Sequence, residues 1–280
     1  MKLEGPHICT AQTQGGFARC FEEVAQLLAA SFADLGFSPT VAENRLQAGC
    51  TNILLGYHLV EDPSRLAGLD YVVFQLEQLS ASPERFDERI ATVLSGARRI
   101  WDFSGKNIAF LERRGIPADW LPLGHHPSLE RLCPAGSRDE DIDVLFYGVL
   151  TNRRGKVLLE LEAMGLKVEA LFGVYGQERD AYIERSKIVL NCHAYPPRIL
   201  EAVRLAYLAG NGRFVVSEEA GENPYTDLGM VFTRYEALAE TCRFFVDNPD
   251  VRIRRAKGAQ ESFRRDMPMT ALLARVLEAS

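Results

Sequence analysis

The sequence lacks the patterns that define several classes of protein. Its six cysteines form no C-x-x-C pair and none stands near paired histidines, which excludes a zinc finger and a disulfide scaffold. It has no run of eighteen apolar residues, and its first residues, MKLEGPH, are not followed by the apolar segment of a signal peptide. Its net charge of −6 argues against the basic surface that nucleic-acid binding requires. We therefore expect a cytoplasmic protein without nucleic-acid partners or integral membrane contact.

Short apolar runs alternate with amphipathic segments along the 280 residues. This alternation is typical of α/β proteins, in which parallel strands form an open sheet covered by helices. The first half contains six predicted strands: HICTA (7–11), PTVAE (39–43), NILLG (52–56), LDYVVFQ (69–75), RRIWD (98–102) and DWLPLG (119–124). The second half contains five: IDVLFYG (142–148), LKVEALFG (166–173), KIVLN (187–191), RFVVS (213–217) and VFT (231–233).

A polar segment interrupts this alternation near the middle of the chain. Residues 123–141 include two prolines and an acidic end, as is common in connections between domains. The sequence predicts an N-terminal domain over 1–125, a linker over 126–141 and a C-terminal domain over 142–280. The last helices either stay with the C-terminal domain or pack back on the first.

A glycine-rich turn follows the first predicted strand. In AQTQGGF (11–17), Gln14, Gly15 and Gly16 precede a helix whose N-terminus offers unpaired N–H groups to a ligand. The turn lacks the G-x-G-x-x-G pattern, which argues against a nicotinamide cofactor. A purely structural turn is an equal alternative.

Two strand ends in the second half carry residues suited to a nucleotide. After the strand that ends at Gly148, Arg153 and Arg154 stand at the head of the next helix, where guanidinium groups can neutralise a diphosphate. Gly173 and Tyr175 follow the next strand and could receive a planar base. Solvated arginines and an ordinary βα turn are the alternatives.

A third strand end combines a histidine with a carboxylate. Asn191 ends one strand, His193 follows it, and a helix is predicted to start at Arg198 with Glu201 in its first turn. All four are candidate residues for binding the nucleotide-containing ligand. A carboxylate at a helix N-terminus stays ionised and can accept hydrogen bonds from two vicinal hydroxyls, such as those of a ribose. The alternatives are a carboxylate that only balances the helix dipole and a hydrogen-bonded structural histidine.

The first half also places titratable side chains after strands. His58 follows NILLG and Glu77 follows YVVFQ, so His58 could act as a general base and Glu77 could orient or replace it. A structural histidine is the alternative. The D-x-D of residues 141–143 stands before its strand, away from the expected site, and no metal is predicted there.

The second half resembles the C-terminal domain of GT-B glycosyltransferases in three strings: DIDVLFYGVLTNRR, VEALFGVYGQERDAYIERSKIVLN and ILEAVRLAYLAGNGRFVVSE. The first half is similar to the same group in NILLGYHLV, VVFQLEQL, IWDFSGKNIAFLERRGI and LPLGHHPSLER. The group comprises bacterial family-1 and family-4-like glycosyltransferases related to the spore-maturation type. The resemblance extends over about residues 7 to 265 and implies two Rossmann-like domains with parallel sheets facing a cleft.

The resemblance also assigns roles to residues. In GT-B enzymes of the E-x7-E type the second glutamate binds the ribose, and this role falls on Glu201. The first glutamate touches the donor sugar, and its position is occupied by His193, so the sequence departs from the pattern there. Arg153 and Arg154 match the basic residues that meet the diphosphate, and Gly148 matches the close backbone approach.

The implied reaction is metal-independent transfer of a sugar from a nucleotide-sugar donor, with UDP among the candidate nucleotides. It needs no cofactor, and the acceptor (a glycan, small molecule or protein) is not identified. We predict His58 as the base, with Glu77 second, and His193 at the donor sugar. Two alternatives stay open: a sugar-nucleotide epimerase or hydrolase, and a nucleotide-binding or partner-binding protein without catalysis.

Overall fold

The computed structural model describes residues 5–12, 17–194 and 199–278. In this part of the chain, eleven strands form two sheets, and every strand pair in them is parallel. Helices connect most consecutive strands. The predicted α/β class with two parallel sheets is confirmed.

The chain divides into two compact units. The first comprises Met1–Ser128 together with Pro268–Ser280, and the second comprises Leu129–Met267. The polar segment 126–141 therefore lies, from its fourth residue onwards, within the second unit.

The first unit is built on a six-stranded sheet. Its strands are β1 (His7–Thr10), β2 (Thr40–Glu43), β3 (Thr51–Leu55), β4 (Asp70–Gln75), β5 (Arg99–Asp102) and β6 (Asp119–Trp120). They lie in the order β2-β1-β3-β4-β5-β6. Its first helices are α1 (Glu22–Asp34), α2 (Glu88–Gly96) and α3 (Gly105–Glu112). Every residue of β3 is buried, as expected for a central strand covered by helices on both faces.

The second unit is built on a five-stranded sheet. Its strands are β7 (Ile142–Tyr147), β8 (Val168–Leu171), β9 (Ser186–Asn191), β10 (Val215–Glu218) and β11 (Val231–Thr233), in the order β11-β10-β9-β7-β8. Its helices are α4 (Asn152–Ala163), α5 (Gly176–Glu184), α6 (Ala202–Gly210), α7 (Leu238–Asp247) and α8 (Pro249–Asp266). Val144, Leu190 and Val216 lie in its hydrophobic core.

The last helix, α9 (Met269–Glu278), belongs to the first unit. The Met269 N–H donates to the His125 carbonyl at 2.8 Å, and the Thr270 hydroxyl donates to the Asp34 carboxylate at 3.1 Å. Leu273 is fully buried. The helix thus packs beside α1. No helix in the described ranges combines the length and the apolar character needed to span a membrane.

Two helices begin later than the sequence suggests. The segment PERFDERIATVLSGA (83–97) predicts a helix with a proline in its first turn. α2 begins at Glu88 instead, because the Asp87 carboxylate accepts a hydrogen bond from the Ile90 N–H at 2.8 Å and caps the helix there. The residues Pro83–Arg85 form a separate 3-10 turn.

The helix predicted to start at Arg198 begins at Ala202. The Ala202 N–H bonds to the Leu200 carbonyl at 2.8 Å, and this tight turn is not helical. Glu201 is therefore the residue that precedes the helix rather than a member of its first turn.

In the first unit, DWLPLG forms a strand only at Asp119–Trp120, because its neighbour β5 ends there.

Candidate functional site

The residues predicted to bind a nucleotide meet at the carboxyl edge of the second sheet. β9 lies between β10 and β7, so residues that follow these three strands are close in space. Asn191 ends β9, Glu218 ends β10, and Arg153 and Arg154 stand in the first turn of α4, after β7. We call the following set the carboxyl-edge cluster: Arg153, Arg154, Asn191, His193, Glu201, Arg204 and Glu218.

Glu201 is at the centre of the cluster. Its Oε1 accepts a hydrogen bond from Arg154 Nη2 at 3.1 Å, and its Oε2 accepts one from Asn191 Nδ2 at 3.1 Å. His193 Nδ1 lies 2.9 Å from Oε2, although it is not aligned for a hydrogen bond. The carboxylate thus has three neighbours, of which two come from the end of β9 and one from α4.

The surrounding charges keep Glu201 ionised. Burial by itself raises the pKa of this carboxyl. The contact with His193 and the charges of Arg204 and Arg154 have the larger combined effect and hold the pKa below its usual value. An ionised carboxylate only accepts hydrogen bonds, so this position is suited to a ligand with hydroxyl donors.

Arg154 is buried inside the cluster and is 5% exposed. Its Nε and Nη1 donate to the carbonyls of Cys192 and Val149, each at 2.8 Å, while Nη2 donates to Glu201. The Thr151 side chain caps the start of α4. The chain therefore fixes one cation beside the helix N-terminus, where an anion is also stabilised by the helix dipole.

Arg153 faces a different carboxylate. Its Nη1 and Nη2 each lie 2.5 Å from an oxygen of Glu218, whose side chain is fully buried. The guanidinium also lies 3.8 Å from the centre of the Tyr235 ring. The two neighbouring arginines thus have separate partners, and a role for Arg153 at a diphosphate stays a prediction.

His193 is enclosed by the cluster and is 1% exposed. Its Nε2 lies 3.2 Å from the Glu219 carbonyl oxygen, and its Nδ1 faces Glu201. The structure therefore brings Asn191, His193 and Glu201 together, as the sequence pattern suggested.

Sequence reasoning missed two members of the cluster, of which Arg204 is one. It lies in the first turn of α6, three residues after Glu201, and donates to Asn191 Oδ1 and to the Tyr147 carbonyl, each at 2.7 Å. Gly148 has a φ of +132°, and a Cβ there would lie 2.9 Å from Arg204 Nη2. The glycine is therefore needed for the backbone conformation and for the passage of the Arg204 side chain.

Glu218 is the other residue that was missed. It ends the apolar run of β10 and is fully buried. The available signal was a carboxylate placed directly after a buried strand, next to the strand that ends at Asn191. Such a buried charge requires a partner, and Arg153 provides it.

The remaining residues that were predicted to bind the nucleotide lie beside the outermost strand of the second sheet or outside the described residues. Gly173, with a φ of +72°, follows β8, and Tyr175 precedes α5. β8 is the outermost strand beside β7, one strand further from Glu201. Four predicted residues fall outside the described ranges, and their roles stay predictions: Gln14, Gly15, Gly16 and Arg198.

The first unit brings His58 and Glu77 together. His58 lies in a 3-10 turn after β3, and Glu77 follows the adjacent strand β4. His58 Nδ1 is 3.6 Å from Glu77 Oε1, and their side chains are 29% and 36% exposed. This is an ion-pair distance and is too long for a hydrogen bond.

The environment of His58 favours its neutral form. Burial lowers the pKa of His58; Glu77 acts in the opposite direction, and Arg89 and Arg85 lower the pKa further. Since the net shift is downward from a value of 6.5, the ring is neutral at pH 7. A neutral imidazole is the form that can accept a proton.

A buried polar network fixes the backbone of Glu77. The Asp102 carboxylate accepts hydrogen bonds from Gln75 Nε2 at 2.7 Å and from Asn107 Nδ2 at 3.2 Å. The same two amide groups donate to the Glu77 carbonyl, each at 2.8 Å. The Glu77 N–H in turn donates to Gln75 Oε1. The sequence pattern did not predict this support.

The carboxylates of the D-x-D segment pair with basic side chains. Asp141 lies 3.0 Å from Lys167 Nζ and 2.7 Å from Arg185 Nη2, and Asp143 lies 2.6 Å from Lys187 Nζ. The hydrogen bonds from Arg185 and Lys167 hold the pKa of Asp141 below its usual value. These contacts give the segment a structural role.

Three solved structures have a similar fold. The Anabaena protein Alr3699/HepE, solved with UDP, matches with a TM-score of 0.61 and 12% sequence identity over 98% of this chain and 99% of its own. AviGT4, a glycosyltransferase involved in avilamycin A biosynthesis, matches with a TM-score of 0.60 and 13% sequence identity over 97% of this chain and 96% of its own. A DNA-modifying β-glucosyltransferase matches with a TM-score of 0.61 and 8% sequence identity over 98% of both chains. No protein-family model and no curated protein sequence matches the chain.

The chain has the same fold as these three proteins, of which AviGT4 and the β-glucosyltransferase are glycosyltransferases by name. At identities of 8% to 13%, the similarity describes how the chain is folded, and its reaction must be inferred from its own residues. On this glycosyltransferase fold, the carboxyl-edge cluster belongs to the second sheet and the His58–Glu77 pair belongs to the first.

Proposed function

We propose that the protein transfers a sugar from a nucleotide-sugar donor to a hydroxyl of an acceptor. The observation that carries this proposal is Glu201: an ionised carboxylate at the carboxyl edge of a parallel sheet, held by Arg154 and Asn191. Two vicinal hydroxyls of a ribose fit such an acceptor. Alr3699/HepE has been solved with UDP and with UDP-glucose, which makes UDP the first nucleotide to test.

The leaving diphosphate needs positive charge, and Arg154 and Arg204 are the groups proposed to supply it. A guanidinium has five N–H donors. The described bonds of Arg154 use three of them, and those of Arg204 use two. Fixed donors at a helix N-terminus stabilise charge that develops on a leaving group. We therefore propose that transfer does not require a metal ion.

The acceptor hydroxyl needs a base, and His58 is proposed for this role with Glu77 beside it. Transfer breaks the anomeric bond through a transition state that resembles an oxocarbenium ion, while the acceptor oxygen loses its proton. On accepting that proton, the His58 ring would become an imidazolium next to a carboxylate, since its Nδ1 lies 3.6 Å from Glu77 Oε1. The lowered pKa of His58 is compatible with this task.

The test is calorimetric titration with UDP, GDP, dTDP, CDP and ADP, each with and without EDTA. We expect one nucleotide to bind, with the same affinity in EDTA. Glu201→Ala should weaken that binding about 10-fold to 100-fold, because two hydrogen bonds to a charged acceptor are lost. Glu162→Ala, an exposed position on α4, is the matched control and should bind normally. Unchanged affinity in Glu201→Ala would overturn the proposed donor site.

A second candidate is a nucleotide-binding protein without transfer. The observation that favours it is the enclosure of His193 and the closed Arg153–Glu218 pair, which remove two groups from direct contact with a donor sugar. Incubation with the bound nucleotide's glucose conjugate separates the possibilities. Release of the nucleotide only with added acceptor indicates transfer, release without acceptor indicates a hydrolase, and no release indicates binding alone.

We further propose a reducing compartment such as the cytoplasm. None of the six cysteines forms a disulfide in the described part of the chain, and thiols persist in reducing compartments. The acceptor, whether glycan, small molecule or protein, has to be identified by product analysis.

A further inference from the structure

Both ring nitrogens of His193 lie close to oxygen atoms of the protein itself. Nε2 lies 3.2 Å from the Glu219 carbonyl oxygen, and Nδ1 lies 2.9 Å from Glu201 Oε2. With 1% of its surface exposed, the ring has both nitrogens directed at the protein itself. A donor sugar would need at least one of them.

The peptide group of His193 is also held on both sides. Its N–H donates to Glu218 Oε2 at 3.1 Å, and its carbonyl accepts a hydrogen bond from Arg153 Nη1 at 3.0 Å. Because Arg153 and Glu218 form a bidentate pair with each other, one closed ring of contacts fixes this peptide. Such bidentate pairs are geometrically specific.

Arg153 is itself locked from a third direction. Its guanidinium lies on the Tyr235 ring, and the Tyr235 hydroxyl donates to the Arg153 carbonyl at 2.8 Å. If the Arg153 side chain moved away from Glu218, the fully buried carboxylate of Glu218 would lose its cation.

We propose that His193 is a positioning residue for Glu201, held by the Arg153–Glu218 pair, and that it makes no contact with the transferred sugar. This deepens the proposed function, on which it rests. Glu201 binds the ribose, His193 fixes its carboxylate, and Arg153 and Glu218 fix His193. His193, which occupies the position of the first glutamate of the E-x7-E pattern, thus stabilises the binding of the nucleoside.

The first test compares two replacements of His193 that keep different donors. His193→Asn retains a nitrogen near the Nδ1 position, whereas His193→Gln retains one near Nε2. Both are titrated with UDP and with UDP-glucose. We expect His193→Gln to weaken UDP and UDP-glucose equally, by about tenfold, and His193→Asn to restore part of the UDP affinity. Loss confined to UDP-glucose would overturn the proposal, since it would place His193 at the sugar.

The second test is the pH profile of UDP binding. The groups that face Glu201 are His193 after β9, Arg154 on α4, Arg204 on α6 and the uncharged Asn191 on β9. Removing the histidine removes one cause that lowers the pKa of Glu201, so the carboxylate should protonate at higher pH. In His193→Gln the loss of affinity on acidification should therefore begin at a higher pH than in the wild type. An unshifted profile would contradict the role.

Matched controls separate positioning from general destabilisation. His7→Gln alters a second buried histidine, in which both ring nitrogens are hydrogen-bonded, and Arg213→Lys alters another buried arginine–glutamate pair. Both should lower the melting temperature and leave the pH profile of UDP binding unchanged. Arg153→Lys should instead reproduce the effect of His193→Gln.

A double-mutant cycle distinguishes failure of this proposal from failure of the proposed function. If the wild type binds none of the nucleotides, the proposed function is wrong. The coupling between His193→Gln and Glu201→Gln is then read from unfolding midpoints. Additive effects of the two changes would refute the positioning role, and non-additive effects would support it.

Discussion

Replacing Glu140 by glutamine tests where the second unit begins. Glu140 lies in the polar segment that was expected to link two domains. Its carboxylate accepts hydrogen bonds from Arg213 at 3.0 Å and from Arg252 at 2.9 Å. The side chains of all three are at most 6% exposed. One buried carboxylate therefore holds two buried cations, one before β10 and one on α8.

The glutamine variant keeps the shape of the side chain and removes its charge. Removal of one partner from a buried ion pair costs about 3–5 kcal/mol, because the other charge stays buried without compensation. Arg213 keeps hydrogen bonds to the carbonyls of Cys133 and Ser186, and Arg252 keeps one to Phe245. We therefore expect a loss near the lower limit, about 3 kcal/mol, or roughly 10 °C in melting temperature.

Thermal unfolding followed by circular dichroism measures this loss. Both tryptophans, Trp101 and Trp120, are in the first unit, so their fluorescence shows whether the first unit changes as well. The control is Glu130→Gln, because Glu130 in the same segment pairs with Arg264 at the surface and should matter by less than about 1 kcal/mol. If Glu140→Gln were as mild as this control, residues 129–141 would act as a linker and the reasoning would be refuted.

Two further predictions concern the sites. Glu77→Gln removes the charge that raises the pKa of His58, so the acid limb of the pH–rate profile should move to lower pH; an unmoved limb would exclude His58 as the titrating base. Gly148→Ala places a Cβ 2.9 Å from Arg204 Nη2 at a φ of +132°, so unfolding should show a loss of about 1–3 kcal/mol and calorimetry should show weaker UDP binding. Gly155→Ala, with open space around its Cβ, is the control, and equal behaviour of the two variants would contradict this account.

The fold was predictable because its strands are short apolar runs separated by clear helical segments. All eleven predicted strands are present within a few residues of their expected limits. The boundaries that moved depend on single contacts. The Asp87 cap delays α2, and the turn between Leu200 and Ala202 delays α6. Helix propensity alone does not predict which of these hydrogen bonds forms, so the first residue of a helix is predicted less well than its presence.

The site was predictable only in part. Strand ends located Asn191 and Glu201, because all parallel strands of a sheet end at one edge. The sequence could not separate the roles of Arg153 and Arg154, since adjacent residues at a helix start point in different directions. Arg153 and its partner Glu218 are 65 residues apart, and Arg154 and its partner Glu201 are 47 residues apart, so only the packing of the strands brings each pair together.

The position of α9 has a consequence for the way the chain folds. The second unit is one continuous stretch, whereas the first unit is completed by residues that follow it in the sequence. During synthesis, residues 129–267 can therefore reach their full set of contacts before α9 emerges to cover α1. Until then the face of α1 that α9 covers is exposed to solvent, so the first unit should be the aggregation-prone part of the nascent chain. The packing of α9 against α1 should be the last step in the folding of this unit.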